Sequence, residues 1–106
     1  MEINVEQRDS LIVLSPSGDV DLSSSKDLQQ AVRQTMNKKP QRVVVDLAAV
    51  PYMDSSGVAT LVEAMQIARK QSTELVLASM QAKVRSIFEI ARLDRVFKIV
   101  DSVEDA

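Results

Sequence analysis

Val43-Val44-Val45-Asp46-Leu47-Ala48-Ala49-Val50-Pro51-Tyr52-Met53-Asp54-Ser55-Ser56-Gly57 is the stretch on which the reading of this chain turns. Three consecutive valines are apolar toward both faces of a sheet, which predicts a buried central strand from Arg42 to Leu47. A short loop follows, and Asp54-Ser55-Ser56-Gly57 stands at the mouth of a helix running from about Gly57 to Lys70. A helix start offers unpaired N–H groups and the positive end of the macrodipole, so it accepts acidic caps and anions alike. Two serines placed there are either caps or a phosphate-accepting site.

Working outward, Ile3 and Val5 alternate with polar residues as in a half-exposed strand, and Leu11-Ile12-Val13-Leu14 forms a more buried one. The turn Arg8-Asp9-Ser10 makes the two an antiparallel hairpin. Pro16-Ser17-Gly18 breaks the pattern. Ser24 and Asp27 have capping-box-like spacing, and Leu28, Ala31, Val32, Thr35 and Met36 then trace one helix face. Lys38-Lys39-Pro40 closes that helix with cations and a proline stop.

Beyond the central strand, the second helix buries Val58, Leu61, Val62, Met65 and Ala68, with Thr60 and Glu63 left to the surface. Glu74 to Ala78 is a strand. A third helix turns Val84, Ile87, Phe88 and Ala91 inward, Phe97 to Val100 is a short last strand, and Ser102 to Asp105 closes on one turn. The fold class is α/β: a mixed sheet of about five strands, the first two antiparallel, with helices packed against it. Val44, Leu61, Val62, Ile87 and Phe88 are expected in the core. The Lys and Arg residues from Lys83 to Lys98 read as a solvated face.

A length of 106 residues with 45% hydrophobic content suits one domain over residues 1–106. A net charge of −2 argues against a phosphate-backbone binder, and 3% aromatics leave no stacking platform, so nucleic acid is not the expected partner. There is no cysteine and no histidine, which removes disulfides, thiolate nucleophiles, the usual zinc sites and an ordinary serine-hydrolase triad. The first residues resemble no signal peptide, and no apolar run approaches the ~20 residues that span a bilayer. The expectation is a cytoplasmic protein without membrane insertion, cofactor or resident metal.

The residues of the serine loop leave two readings open. Asp54 or Ser55 caps the helix, worth ~1 kcal/mol, and that accounts for one oxygen. The second serine, Ser56, is then free to face solvent. Asp19 and Asp21 form a turn pair satisfying backbone N–H groups, or Asp21 lies beside the serine loop; both can hold. A divalent ion between Asp21 and Asp54 would lack further ligands. Val20, Val50, Tyr52 and Met53 flank these loops as core or rim packing.

Gly18-Asp19-Val20-Asp21, Asp46-Leu47 and Met53-Asp54-Ser55-Ser56-Gly57 resemble the signatures of the STAS family, named for sulfate transporters and anti-sigma factor antagonists. Lys83 to Phe88 and Leu93 to Phe97 resemble its third helix and last strand, so the likeness spans essentially the whole chain. The resemblance implies a non-enzymatic switch of the antagonist type. The second serine of the loop, here Ser56, would be phosphorylated by an ATP-dependent serine kinase that is also the anti-sigma factor, and a serine phosphatase would reset it. Asp21, Asp54, Ser55, Ser56 and Gly57 would form the partner-binding surface. The resemblance also allows a cytosolic subunit of a lipid-transport ATPase or a signalling scaffold. From another class, a response-regulator receiver would accept phosphate on Asp46, although the expected acidic pair after the first strand is missing.

Overall fold

The computed structural model describes residues 1–106. Its sheet runs β1 (Glu2–Arg8), β2 (Leu11–Ser17), β3 (Arg42–Asp46), β4 (Glu74–Ala78) and β5 (Lys98–Val100), in that spatial order. β1 and β2 are antiparallel, and every later pair is parallel. The parallel pairs are joined by α1 (Ser25–Asn37), α2 (Ser55–Lys70) and α3 (Ala82–Ile90). Right-handed crossovers that all step in the same direction along a sheet leave their helices on one face. All three helices do share one core with one side of the sheet.

That core is legible in the register. Leu14 lies opposite Val45 and Val45 opposite Leu77, while Val43 lies opposite Leu75. This row meets Leu28, Val32 and Met36 of α1, Leu61, Ala64 and Ala68 of α2, and Val84 and Phe88 of α3. The Phe88 ring meets Phe97 edge-on at 5.6 Å, which anchors the approach to β5. On the opposite side Val13, Val44 and Val76 form a second row, joined by Ala78 and covered by Val100, Val103 and Ala106. The short turn Val103–Asp105 brings Val103, and Ala106 after it, onto this second side.

The sequence reading needs four corrections here. β2 continues through Pro16, which is buried and opposite Ile3. Its pairing with β3 ends at Leu14, so the missing proline N–H falls where β2 has a single neighbour. Second, Ser24 does not cap α1 with its side chain; its hydroxyl is used inside the preceding loop, and Asp27 binds the terminal amino group at 2.7 Å. Third, Val58, Val62, Met65 and Ile87 are only partly buried and Ala91 is exposed: α2 gives its deepest apolar positions to Leu61, Ala64 and Ala68, and the nine-residue α3 spends its inward stripe on Val84 and Phe88. Fourth, Thr60 is buried, and Glu63 is half-buried between α2 and α1. Val44, Leu61 and Phe88 are fully buried as expected.

Candidate functional site at the start of the second helix

Two loops leave the C-terminal ends of neighbouring parallel strands, the one after β2 and the one after β3. Main-chain hydrogen bonds fasten them together. Gly18 donates to the Ala49 carbonyl at 2.9 Å, Val20 to Tyr52 at 3.0 Å, and Asp54 back to Val20 at 3.0 Å, which makes Val20 and Met53 a one-residue parallel bridge. Gly18, at φ +100°, supplies the backbone turn that brings the first loop alongside the second. Val20, Val50 and Met53 are fully buried under this junction, whereas Tyr52 stays half exposed at its rim.

α2 starts two residues earlier than its sequence pattern suggests. Asp54 is the cap, in extended conformation, and its Oδ1 accepts from Ser56 N–H at 2.9 Å and Gly57 N–H at 3.4 Å. Gly57 therefore sits inside the first turn, where the helix lies directly on the bridge. A Cβ at Gly57 would stand 2.5 Å from Met53 Cγ and 2.8 Å from Val20 Cγ1. The flexible Met53 side chain can yield, but the branched Val20 cannot without moving the bridge. Gly57→Ala is expected to cost about 1–3 kcal/mol by overpacking, read as a lower urea midpoint at unchanged slope. A melt indistinguishable from the parent would contradict that close approach.

The two acidic residues are built alike. Asp54 Oδ1 also accepts the Ser56 hydroxyl, at 2.5 Å. Asp21 Oδ1 accepts both the N–H of Ser23, at 3.0 Å, and its hydroxyl, at 2.6 Å. Ser24 Oγ accepts from Asp21 N–H at 3.0 Å and donates to the Asp19 carbonyl at 2.8 Å, closing the first loop. The Ser56 hydroxyl, reinforced by the two helical N–H groups, holds the Asp54 carboxyl below its ordinary range, although the nearby Asp21 charge opposes the shift. Ser23 does most to lower Asp21 in the same way. Both groups are more acidic folded than unfolded, so their stabilisation is complete above the unfolded value near pH 4. It is lost as pH falls through the lower folded values. Acid unfolding of Asp54→Asn should accordingly lose part of its pH dependence below about pH 4; a curve parallel to the parent's would count against the cap.

The two serines face opposite ways. Ser55 is exposed and borders a shallow apolar hollow with Tyr52, Val58, Ile87 and Ala91. Ser56 is half-buried and lines a polar groove between α1 and α2, with Ser25, Lys26, Gln29, Thr60 and Glu63. The solvent-facing serine is thus Ser55, contrary to the sequence reading, because the Asp54 cap draws the Ser56 hydroxyl back. Thr60 donates to the Ser56 carbonyl at 3.0 Å. Glu63 accepts from Gln29 at 2.8 Å and from Arg33 at 2.6 Å, and those donors lower its pKa. Of the residues singled out from sequence, Asp21, Asp54, Ser55 and Ser56 come together at one end of the sheet, and Gly57 lies buried beneath them. Ser23 was missed there; its place two residues after Asp21, matching Ser56 after Asp54, was the available signal.

Asp46, by contrast, closes its own loop by accepting the Ala48 N–H at 3.1 Å. The spatial strand order 1-2-3-4-5 with its antiparallel first pair also departs from the 2-1-3-4-5 order of receiver-type doubly wound sheets.

A family model described as "STAS domain" matches residues 2–106. BtrV of Bordetella bronchiseptica, by name a candidate anti-sigma factor antagonist, is 26% identical over 106 residues, covering 100% of this chain and 91% of that one. The anti-sigma-B factor antagonist of Listeria monocytogenes is 28% identical over 100 residues, 93% of this chain and 88% of its own. Among solved structures, an anti-sigma factor antagonist from Mycobacterium paratuberculosis superposes with a TM-score of 0.90 at 25% identity, covering 98% of this chain and 88% of that one.

Proposed function

Because this chain belongs to the STAS domain family, we propose that it is an anti-sigma factor antagonist, a protein-binding switch set by phosphorylation of Ser56. The observation that carries the reading is the fastening of the two loops, which gathers Asp21, Asp54, Ser55 and Ser56 into one small face at the start of α2. Relatives matched over nearly their whole length and named as antagonists support it. In this reading the partner is an anti-sigma factor that is also an ATP-dependent serine kinase, and a separate serine phosphatase resets the switch. Asp21, Asp54 and Ser55 contact the partner, Ser56 accepts the phosphate, and Gly57 acts from below by holding the helix against the bridge.

The domain itself turns nothing over: the kinase brings the ATP and its own catalytic groups. It acts as one unit over residues 1–106, in the cytoplasm, where its partners work; no helix is long and apolar enough to cross a membrane. The names of the relatives favour this role over a lipid-transporter subunit or a scaffold. The test is reconstitution with the kinase that the unmodified protein captures from extract of its own cells. Incubation with ATP should place one phosphate on Ser56, located by mass spectrometry, and the phosphorylated form should leave the kinase. Phosphate on Ser55 or Asp46, or a kinase that neither binds nor modifies the chain, would overturn the proposal.

A further inference from the structure

We propose that Lys26 is the residue that receives the phosphate of phosphorylated Ser56, holding it in the groove between α1 and α2. The inference deepens the switch reading and rests on Ser56 carrying a phosphate. In the unmodified protein the Ser56 hydroxyl donates to Asp54 Oδ1. Phosphorylation removes the donated hydrogen and puts a group of about −1.5 to −2 charge beside that carboxylate, with Asp21 close behind. The side chain must turn away from both. The open direction is the groove that Ser56 already lines, about 220 Å³ in volume and bordered by Ser25, Lys26, Gln29, Thr60 and Glu63.

Two charged residues line that groove, Lys26 of α1 and Glu63 of α2. On α2, Glu63 is held by Arg33 and Gln29 of α1. On α1, Asp27 pairs with the terminal amino group. In the loops, Asp21 and Asp54 are bonded to their serines. Lys26 is exposed and has no carboxylate within ion-pair distance, so its ammonium is the free cation of the groove. A lysine ammonium suits this task as a flexible point charge that can follow the turning phosphate.

The experiment uses full-length protein with phosphoserine installed at position 56 by codon suppression, so no kinase is needed, and follows the phosphate by ³¹P NMR titration. Lys26→Gln should raise the second phosphate pKa by about 0.3–1 unit at low salt, a two- to tenfold change in proton affinity. Lys26→Arg should restore the parent value. The difference should vanish near 1 M salt, where screening reaches ~3 Å. Phosphoserine at position 55, on the other side of the helix start, should titrate identically with and without Lys26. Superimposable titrations of the parent and Lys26→Gln proteins at position 56 would overturn the assignment, and so would an equal shift at position 55. Failure of the switch reading shows instead as partner affinity indifferent to phosphate, which this titration does not measure.

Discussion

Ser56→Asp will bind the anti-sigma partner at least about fivefold more weakly than Ser56→Ala, with Ser56→Ala matching the unmodified protein. The phosphate adds about −1.5 to −2 charge and takes a chain of net charge −2 to about −4. Asp21 and Asp54 already give this face two carboxylates, each kept ionised by its serine. A partner surface that complements them meets a concentrated third charge after modification. A coupling of only about 1–3 kcal/mol shifts affinity ~5–150-fold, sufficient for a switch. The fold itself should hardly notice. The macrodipole of α2 offsets an added anion by ~0.3–1 kcal/mol, and the Asp54 cap keeps its two backbone donors. Melting temperatures of the three forms should lie within a few degrees. Titration calorimetry against the purified partner reads the affinities, and equal binding by all three forms would sink the switch.

Leu61→Ala will lose about 2–5 kcal/mol, the cost of deleting a core leucine when its surroundings cannot close over the gap. Leu61 is fully buried where α2 crosses the sheet, within the cluster containing Leu14, Val20, Met53 and Phe88. Collapse is hindered because Leu14 is pinned by the strand register, and Val20 and Met53 by the bridge between them. For a domain of this size each kcal/mol corresponds to about 4–8 °C in melting temperature, so the loss stands far outside error. Ile90, 84% exposed on α3, is the matched control, and Ile90→Ala should change stability by less than about 0.5 kcal/mol. A Leu61→Ala protein melting like the Ile90→Ala protein would mean that α2 does not pack as described.

The sheet was legible because its evidence is local. Three valines in a row, alternating residues around Arg8-Asp9-Ser10 and a 3.6-residue stripe from Leu28 each announce one element without help from the rest. The one-sided placement of the helices was not announced; it follows from strand order and crossover hand together, which no single segment carries. The site was legible as a set of residues but not as a geometry. Asp54-Ser55-Ser56-Gly57 marks a helix start, yet which serine turns toward solvent depends on one carboxylate reaching two N–H groups and one hydroxyl. Thr60 and Glu63 were misread for a similar reason. On α2 alone they fall on the polar side, and only the arrival of α1, with Gln29 and Arg33, makes that side an interior.

The junction of the two loops also has a meaning for specificity. All three bonds that fasten it run between main-chain groups, so it is blind to the identity of the side chains above it. Asp19, Leu22, Tyr52 and Ser55 stand exposed on that platform. Each can be rewritten without shifting the backbone that presents it. In the proposed role, partner choice falls to these side chains rather than to the junction that presents them.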